Sequence, residues 1–378
     1  MTDTGMYSSY LEIDMGRIRD SIERVRRHIG AGCEILPVIK SNCYGLGTEA
    51  MAEFYTRECG MRLLSCAQVS EGAQIRSCTP PDTEILVLSG VPLPAVKHAV
   101  RHGLQLSLYN EEGVRALSAA AREAGRSVRA QIKIETGMNR IGARPGEELA
   151  RLICALRECG NIEIVGAFTH FATASEPESA FTREQLARFR EGLAQLDGAG
   201  ICPEYVHCCN SGGTAWLREA FYTHVRCECL SLGYPCMDDG SNLLGVREPA
   251  SWRAFVTNIR RLMPGESAGY DRAFMAEHPT DVAVISAGYG DGLYRPLASR
   301  GGPVIVGDVR TRYLAVCMDQ SFVDVTGIDC RLGDEVTLLG ESAGGAALSL
   351  EELKRLTGQT LTYPLTMINS RVARVYKY

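Results

Sequence analysis

The chain has 378 residues, of which 45% are hydrophobic and 22% charged, a composition typical of a folded protein of about two domains rather than a disordered or collagen-like chain. Acidic residues outnumber basic ones by 45 to 40, so a nucleic-acid partner is not expected. The sequence lacks an apolar run of about 18 residues, so we expect no membrane span and no direct membrane contact.

The 15 cysteines are odd in number and are spread along the chain. A disulfide framework is expected in short secreted chains rather than in a chain of this length. The sequence has no CxxC pair, so a zinc site is not expected and no metal is predicted. The first residues also lack the basic flank and apolar stretch of a signal peptide. We therefore expect reduced thiols and a cytoplasmic location.

The N-terminal part of the chain alternates short apolar runs with amphipathic segments. Residues 14–29 predict a helix with Asp14 as its N-cap, and the strand that follows over 33–40 ends at Lys40. Seven further strands are predicted at 61–67, 83–90, 104–109, 129–136, 162–170, 204–209 and 224–232. Helical patterns lie between most of them, at 47–58, 69–77, 93–102, 111–124, 146–158, 181–196 and 213–221. This alternation is typical of buried parallel strands with crossover helices.

The number of strands predicts the fold. Eight βα units over roughly 230 residues indicate a closed (β/α)8 TIM barrel. A doubly wound open sheet is the alternative, but it usually has fewer units and a Gly-rich first turn. After about residue 240 the segments are β-like, and only 349–358 has a helical pattern, with Ser349 and Glu352 in capping-box spacing. The sequence therefore predicts an α/β protein with a barrel over residues 1–240 and a mostly β C-terminal domain over 241–378.

Polar residues follow several predicted strands at their carboxyl ends, where barrel enzymes hold their chemistry. Taken singly, each has an ordinary structural explanation, since a strand-end lysine is usually solvated and a lone histidine is usually a core residue. Their convergence on one rim favours an active site instead. The residues are Lys40; Thr136, Met138, Asn139 and Arg140; His170; Asn210, Ser211, Gly212 and Gly213; and Arg226.

Two of these groups indicate a chemistry. Lys40 lies between an apolar strand and a Gly-rich loop, and burial lowers the pKa of a lysine, as a Schiff-base lysine requires. Ser211 and the glycines after it begin a helix. The Ser211 hydroxyl and the first backbone N–H groups of that helix suit a phosphate. A Schiff-base lysine with a phosphate site suggests pyridoxal phosphate (PLP). Sugar-phosphate aldolases fit the same residues, so at this point the residues indicate a lysine-imine barrel enzyme.

With these residues identified, the chain resembles the alanine racemase family of barrel-type PLP enzymes. The matching motifs run in order across nearly the whole chain, and the family's N-terminal barrel and C-terminal β domain agree with the predicted elements. The motifs are PVIKSNCYGLG around Lys40, KIETGMNRIG at 133–142, THFATASE at 169–176, HCCNSGG at 207–213, HVRCECLSLG at 224–233, AGYDRAF at 268–274, AGYGDG at 287–292 and CMDQSFVDVT at 317–326.

The resemblance implies a role for most of the polar residues. Lys40 would form the imine with PLP, and Tyr270 would be the second catalytic base. PLP would be held by Tyr44, Ser211, Arg226 and the amides near Glu228 and Cys229, with His170 supporting Arg226 in the cofactor site. The substrate would be held by Arg140 and the Met318 backbone, with Tyr289 at its entrance, and Lys133 matches a lysine that is carbamylated in some relatives. The family also implies a homodimer in which C-terminal residues complete the partner's active site.

Racemisation requires an acidified Cα–H and one base on each face of the substrate carbon. Lys40 would serve one face and Tyr270 the other, and a tyrosine with a reference pKa of about 10 needs positive charge nearby to do so. Arg226 opposite the pyridine nitrogen would assist Tyr270 and leave the ring unprotonated, which suppresses transamination. Decarboxylases of the same barrel class place a carboxylate there, so Arg226 favours a racemase. The resemblance implies that such a racemase supplies D-amino acids for peptidoglycan.

The segment INSRVAR departs from the family pattern. Asn369 and Ser370 occupy the positions where the family usually has a tyrosine that narrows the pocket, and the register allows either one to replace it. A smaller polar side chain would admit and hydrogen-bond a hydroxymethyl group, which favours serine as a substrate beside alanine. The racemases of vancomycin-resistance operons, in which the catalytic domain follows a membrane domain, offer a parallel. The chain would then be a catalytic domain on the cytoplasmic side of a membrane-anchored parent.

Three other functions stay open from the sequence. Asn369 and Ser370 are also compatible with neutral drift in an alanine-only racemase. A non-catalytic PLP-binding protein resembles the barrel alone and would not need the β domain. A PLP-dependent decarboxylase of the same barrel class would need a carboxylate where Arg226 is expected.

Overall fold

The computed structural model describes residues 5–378 and divides into two compact units. The first, which we call the C-terminal unit, combines the segment that ends at Arg19 and residues Tyr44–Leu46 with Arg247–Tyr378. The second, which we call the barrel unit, contains Asp20–Cys43 and Gly47–Val246. Strand β1 (Ser9–Asp14) belongs to the C-terminal unit.

Within Asp20–Val246, eight strands form the predicted barrel. Strands β3 to β8 pair in parallel in chain order, and β2 pairs in parallel with β9. The two groups join at a bridge between Val38 and Ser65 and at a hydrogen bond from the Thr223 N–H to the Val206 carbonyl (3.1 Å). The strands are β2 (Glu34–Ile35), β3 (Leu63–Cys66), β4 (Glu84–Val87), β5 (Gln105–Leu108), β6 (Val128–Lys133), β7 (Ile162–Phe168), β8 (Tyr205–His207) and β9 (His224–Val225).

Helices alternate with these strands, as predicted. The first has its stripe of Ile18, Ile22 and Val25 fully buried, and Asp14 caps it by accepting the Arg17 N–H (2.9 Å). The α-helices are Met15–Ile29, Thr48–Glu53, Val69–Cys78, Val96–Arg101, Glu111–Glu123, Glu147–Arg157, Ala180–Gly198, Ser211–Trp216 and Glu228–Ser231. A π-helical turn covers Phe54–Glu58, and 3-10 turns cover Leu93–Ala95 and Arg218–Ala220.

The last barrel strand is shorter than expected. The sequence predicts a strand over 224–232, whereas β9 ends at Val225 and Glu228–Ser231 is helical. The chain turns there because the Glu228 carboxylate accepts the Val38 N–H (2.7 Å) and the Cys229 N–H donates to Ser211 (3.1 Å). A continuing strand would carry both groups away from these partners.

The C-terminal unit is mostly β, as predicted. Among the described residues one sheet has the order β18-β17-β14-β15-β16-β13-β10-β1-β19, and β17 also pairs with β10. The strands are β10 (Ala250–Leu262), β11 (Ser267–Ala268), β12 (Phe274–Met275), β13 (Thr280–Ile285), β14 (Pro303–Val306), β15 (Val309–Val316), β16 (Ser321–Asp324), β17 (Glu335–Glu341), β18 (Ala347–Leu348) and β19 (Ala373–Lys377). Helices cover Leu350–Thr357 and Tyr363–Met367, with 3-10 turns at Tyr270–Arg272, Tyr289–Asp291 and Arg295–Arg300. Ser349 caps the helix that follows it, as its spacing to Glu352 predicts.

The sequence places residues 1–240 in the barrel, whereas two early segments group with the C-terminal unit. β1 pairs antiparallel with β10 and parallel with β19. Near Tyr44, the Gly45 carbonyl accepts from Arg374 (2.9 Å) and the Leu46 carbonyl from Tyr376 (2.7 Å). Gly45 is required there, since its φ is +90° and a Cβ would lie 2.1 Å from the Leu365 carbonyl oxygen.

All 15 cysteines are free thiols. Within residues 5–378, the structure has no helix that is both long and apolar enough to span a bilayer.

Candidate active site

Lys40 follows β2 at the carboxyl end of the barrel strands, and its side chain is partly buried. Burial, followed by the positive charge of Arg140, lowers the pKa of the Lys40 amine, while the carboxylates of Glu71 and Glu228 are among the groups that raise it. The neutral share of this amine at pH 7 is therefore larger than that of an exposed lysine. A neutral amine is what attack on an aldehyde requires.

The backbone of the turn after Lys40 is strained, and hydrogen bonds hold it in place. Residues Ser41–Tyr44 all have left-handed φ angles, between 49° and 55°, which costs about 1–2 kcal/mol for each non-glycine residue. Hydrogen bonds from the Ser41 N–H to Glu71 (2.7 Å) and from the Thr48 N–H to the Asn42 side chain (2.9 Å) offset part of that cost. Strain of this kind is typical of functional sites, and here it fixes the direction in which the chain leaves Lys40.

Ser211 and the Cys229 amide lie together, as the expected phosphate site requires. The Cys229 N–H donates to the Ser211 hydroxyl at 3.1 Å, and Asn210 caps the helix that begins at Ser211 by accepting the Gly213 N–H (3.0 Å). Gly212 packs so closely that a Cβ there would lie 2.4 Å from the Ala174 carbonyl oxygen. The loop therefore has its hydroxyl and amides in fixed positions.

Arg226 is buried and is held by acceptors from neighbouring strands. Its Nη2 donates to the Thr169 carbonyl (2.6 Å) and lies 3.2 Å from Nδ1 of His170, which is the contact expected of His170. Its Nη1 donates to Nδ1 of His207 and to the His207 carbonyl (3.1 Å). The Arg226 guanidinium also lies over the Phe168 ring, 5.4 Å from its centroid. These contacts fix both the position and the plane of the guanidinium.

The basic groups around Arg226 are close to one another. Lys133 is buried, with its Nζ 3.4 Å from the Thr169 hydroxyl, and burial and the charge of Arg226 lower its pKa to about 7. Burial and the same charge lower the pKa of His170 well below its usual range. Arg140 is exposed, and its charge lowers the pKa of Lys40, Lys133 and His170 together. The structure thus gathers these predicted residues at one end of the barrel.

Sequence reasoning missed the side chain of Glu228, although it named the backbone there. The carboxyl group is fully buried and accepts from the Val38 N–H (2.7 Å), the Tyr55 hydroxyl (2.7 Å) and the Cys43 thiol (3.7 Å). Burial raises its pKa from the usual 4.5 to about 7, against these hydrogen bonds and the charge of Lys40. Its partners are distant in sequence, so only an unexpected charge within the motif HVRCECLSLG could have pointed to it.

His207 was also missed as a site residue. It lies in the motif HCCNSGG, is fully buried, and stacks on Phe168 with ring centroids 4.9 Å apart. The available signal was a histidine in the seventh predicted strand, next in sequence order to the eighth strand, which carries Arg226. Its contact with Arg226 makes it as close a neighbour of the guanidinium as His170.

Tyr270 and Met318 lie in the C-terminal unit, where both line one cleft of about 660 Å³ together with Thr257, Gly269 and Phe322. Tyr270 begins a 3-10 turn and is 73% exposed. Met318 is half exposed. The expected second base and the expected substrate-binding backbone are therefore adjacent on the open face of this unit.

Hydrogen bonds hold Tyr289 and residues 369–371 on the same face of the C-terminal unit as Met318. The Tyr289 N–H donates to the Cys317 carbonyl (2.9 Å), and the Asn369 N–H donates to the carbonyl of buried Asp291 (2.8 Å). Arg371 binds the Asp291 carboxylate (2.7 Å) and Asp319 (2.8 Å). Asn369 and Ser370, whose side chains hydrogen-bond each other (3.2 Å), are exposed. Arg371 thus links the Met318 turn to the segment expected to set substrate size.

Comparison with known proteins gives one family over nearly the whole chain. A family model described as the alanine racemase N-terminal domain matches residues 13–229, and one described as the alanine racemase C-terminal domain matches residues 250–376. The alanine racemase of Clostridium perfringens (strain SM101 / Type A) is 31% identical over 373 residues, which are 97% of this chain and 95% of that protein.

Solved structures agree with this result. The alanine racemase of Clostridium difficile 630 superimposes with a TM-score of 0.92 at 26% identity, covering 98% of this chain and 96% of that one. The alanine racemase of Bartonella henselae with covalently bound pyridoxal phosphate has a TM-score of 0.86 at 26% identity, covering 98% and 99%.

Burial of Glu228 predicts a pH dependence of stability. Between about pH 4.5 and 7 the folded state retains a proton that the unfolded state has lost, so the free energy of unfolding falls as pH rises through this window. We expect Glu228→Gln, which is neutral throughout, to lack this decline, which amounts to up to about 3 kcal/mol. Urea denaturation at pH 5 and pH 8 measures it, with exposed Glu204→Gln as control. Equal declines in the three proteins would show that Glu228 stays ionised.

Proposed function

The chain belongs to the alanine racemase family, and we propose that it is a PLP-dependent racemase of alanine and serine that uses Lys40 and Tyr270 as bases on opposite faces of the substrate. The proposal depends above all on one observation. A lysine with a lowered pKa lies on the same rim as Arg226, a buried cation held in one orientation. A PLP-dependent racemase needs both a reactive lysine and a fixed cation on this rim. A lysine with only a structural role needs neither a lowered pKa nor such a neighbour.

The residues of the barrel unit fit PLP. Lys40 has the partly neutral amine that an aldehyde requires, and Ser211 with the Cys229 amide offers donors to a phosphate. When bound, PLP draws electrons from the substrate amino acid and so acidifies its Cα–H. Lys40 would hold the cofactor covalently and would then be placed to move the proton on one face of the substrate. By resemblance, Tyr44 would add its hydroxyl to the phosphate site.

Arg226 limits the reaction to proton transfer. A guanidinium does not lose its proton in a protein, so Arg226 would only donate to the pyridine nitrogen of bound PLP and would leave that atom unprotonated. The Thr169 and His207 carbonyls and two neutral histidines hold it in place. A decarboxylase would need a carboxylate in this position. The buried carboxylate of Glu228, two residues along the chain, is instead hydrogen-bonded to Val38 and Tyr55.

The C-terminal domain separates a racemase from a non-catalytic PLP-binding barrel. The family's C-terminal domain is present with Tyr270 and Met318 on one cleft, which a non-catalytic PLP-binding barrel would not need.

Lys133 has a pKa lowered to about 7, so part of its amine is neutral. The neutral amine can attack carbon dioxide and lose a proton to form a carbamate. That negative group would brace Arg140, the proposed ligand of the substrate carboxylate.

We propose that the active protein is a homodimer with composite sites. A base works in a site shielded from bulk water, yet Tyr270 is 73% exposed and Met318 is half exposed within this chain. A second copy of the chain would cover them and bring its own Lys40 to the substrate. Free thiols throughout the chain support a reducing cytoplasmic location, where D-amino acids for peptidoglycan are made.

Serine is proposed as a substrate beside alanine. Asn369 and Ser370 are small, polar and exposed, and Arg371 fastens them to the turn that holds Met318. Ser370 donates to the Asn369 side-chain oxygen, so this pair offers a hydroxyl and an amide that can exchange partners with a substrate hydroxymethyl group. A tyrosine in their place would fill that volume.

The two-base scheme predicts different effects on the two enantiomers. Lys40→Ala should abolish the cofactor absorbance at about 420 nm together with racemisation, because the covalent link is lost. Tyr270→Phe should slow deuterium incorporation from D2O into one enantiomer far more than into the other. Tyr289→Phe, a matched tyrosine at the proposed entrance, should slow both equally. Equal losses for Tyr270→Phe would contradict the assignment of one base to each face.

Composite sites predict complementation between inactive variants. Mixing and reassociating Lys40→Ala with Tyr270→Phe should restore up to about a quarter of the sites, because a mixed dimer has one site without any substitution. Mixing Lys40→Ala with Arg226→Met should restore none, because both changes lie in the barrel unit and each site keeps one defect. Recovery in both mixtures, or in neither, would argue against a site shared between two copies.

The polar pair predicts measurable serine turnover. Kinetics with L-serine and L-alanine should give a kcat/KM for serine that Ser370→Tyr or Asn369→Tyr lowers at least about tenfold relative to that for alanine. The variant with the larger selective effect identifies the residue that faces the substrate. Trace serine turnover in the unmodified protein would leave an alanine racemase and end the serine proposal.

A further inference from the structure

A line of buried polar side chains crosses the interior of the barrel, starting at Arg226. Arg226 Nη1 donates to Nδ1 of His207, and His207 Nε2 lies 2.8 Å from Gln131 Oε1. Gln131 Nε2 lies 2.7 Å from Gln105 Oε1, and Gln105 Nε2 donates to Glu84. Gln131 and His207 are completely buried, and Gln105 and Arg226 nearly so. This line, which we call the barrel relay, therefore joins five side chains by direct hydrogen bonds.

The two ends of the relay lie at opposite ends of the barrel. Glu84 is the first residue of β4, whereas Arg226 directly follows the last residue of β9. Since the strands are parallel, Glu84 lies at their amino ends and Arg226 at their carboxyl ends, where Lys40 also lies. A carboxylate on the face away from the chemistry is thus connected to the cation in the active site.

The chemistry of the two ends gives the relay one direction. An ionised carboxylate can only accept hydrogen bonds, and a guanidinium can only donate them. Gln105 must therefore turn its amide nitrogen to Glu84 and its oxygen to Gln131, and Gln131 must in turn present its oxygen to His207. His207 is then the neutral tautomer with its proton on Nε2 and a lone pair on Nδ1, and that lone pair accepts from Arg226.

Independent contacts support this arrangement. Burial, followed by the charge of Arg226, lowers the pKa of His207 well below its usual range, so the ring is neutral. Position 166 is glycine, and a Cβ there would lie 2.4 Å from Cδ of Gln131, so the backbone makes room for this amide. At the outer end, Arg129 and the Tyr205 hydroxyl (3.1 Å) both donate to Glu84 and hold its charge in place.

We propose that Glu84 is a positioning residue of the active site, which acts through the barrel relay by fixing the tautomer of His207 and with it the orientation of Arg226. The proposal rests on the proposed function only in assigning Arg226 to the cofactor ring. Reversal of the relay would put a proton on Nδ1 of His207 facing the N–H groups of Arg226. The guanidinium would have to move away from that proton, and its hydrogen bond to the cofactor nitrogen would be misaligned.

The direct test is the tautomer of His207 in the unmodified protein. Histidine-labelled protein without PLP is studied by nitrogen-15 NMR, and the ring of His207 is identified by its contact with the Phe168 ring. We expect a proton on Nε2, none on Nδ1, and no titration across neutral pH. A proton on Nδ1 or on both nitrogens would overturn the relay, whether or not the protein is an active racemase.

The functional test is Glu84→Gln beside Glu204→Gln. A glutamine at position 84 can donate, so the relay is free to reverse, whereas Glu204 binds the same Arg129 (2.9 Å) outside the relay. We expect Glu84→Gln to shift the His207 tautomer and lower kcat about tenfold with little change in KM, since orientation of a catalytic group and not substrate affinity is lost. Glu204→Gln should leave the tautomer and kcat unchanged.

Glu84→Asp completes the series, because it keeps an acceptor-only group and should preserve the tautomer and most of kcat. An unchanged tautomer and unchanged kcat in Glu84→Gln would contradict the proposal, as would equal losses in Glu84→Gln and Glu204→Gln. If added PLP gives no absorbance at about 420 nm in the unmodified protein, the proposed function fails while the tautomer result still decides the relay.

Discussion

Burial and the permanent charge of Arg226 act in the same direction on the protonation of the groups around it. Burial and this charge together lower the pKa of His170 and His207 well below their usual range and that of Lys133 to about 7. Burial, helped by this cation, thus leaves the two imidazoles neutral and part of the Lys133 amine neutral. The neutral imidazoles can then accept the N–H groups of Arg226, so the conditions that keep them uncharged also supply the acceptors that hold the guanidinium.

A polar interior of this kind is stable only when every member is satisfied, because an unpaired buried group costs more than its partner contributes. The barrel interior combines the apolar cluster of Leu36, Leu63, Leu86 and Phe168 with the relay. Each relay amide uses both its oxygen and its nitrogen, and Phe168 belongs to both sets by stacking on His207. The apolar cluster excludes water, so each relay group must pair with its neighbour in the relay. The direction of these hydrogen bonds therefore reaches Arg226 in the active site.

The sequence predicted what depends on local pattern and missed what depends on distant pairing. Short apolar runs gave the eight barrel strands, and Asp14 and Ser349 gave helix starts, because alternation and capping are visible within a few residues. The shared unit of β1, β10 and β19 was missed, since their pairing joins both ends of the chain. Glu228 was named only for its backbone, because its carboxyl group gains meaning when Val38 and Tyr55 reach it from other strands and helices.

In the proposed function, the barrel unit and the C-terminal unit supply groups in opposite physical states. Lys40, Arg226 and their neighbours are buried or partly buried, so their charges act strongly on one another. Tyr270 is largely exposed, so water screens the charges around it. A tyrosine becomes a useful base only beside a cation in a site from which water is excluded. The proposed role of Tyr270 therefore depends on what covers it, and assembly of two copies would control this second base, whereas Lys40 would already be prepared within each barrel.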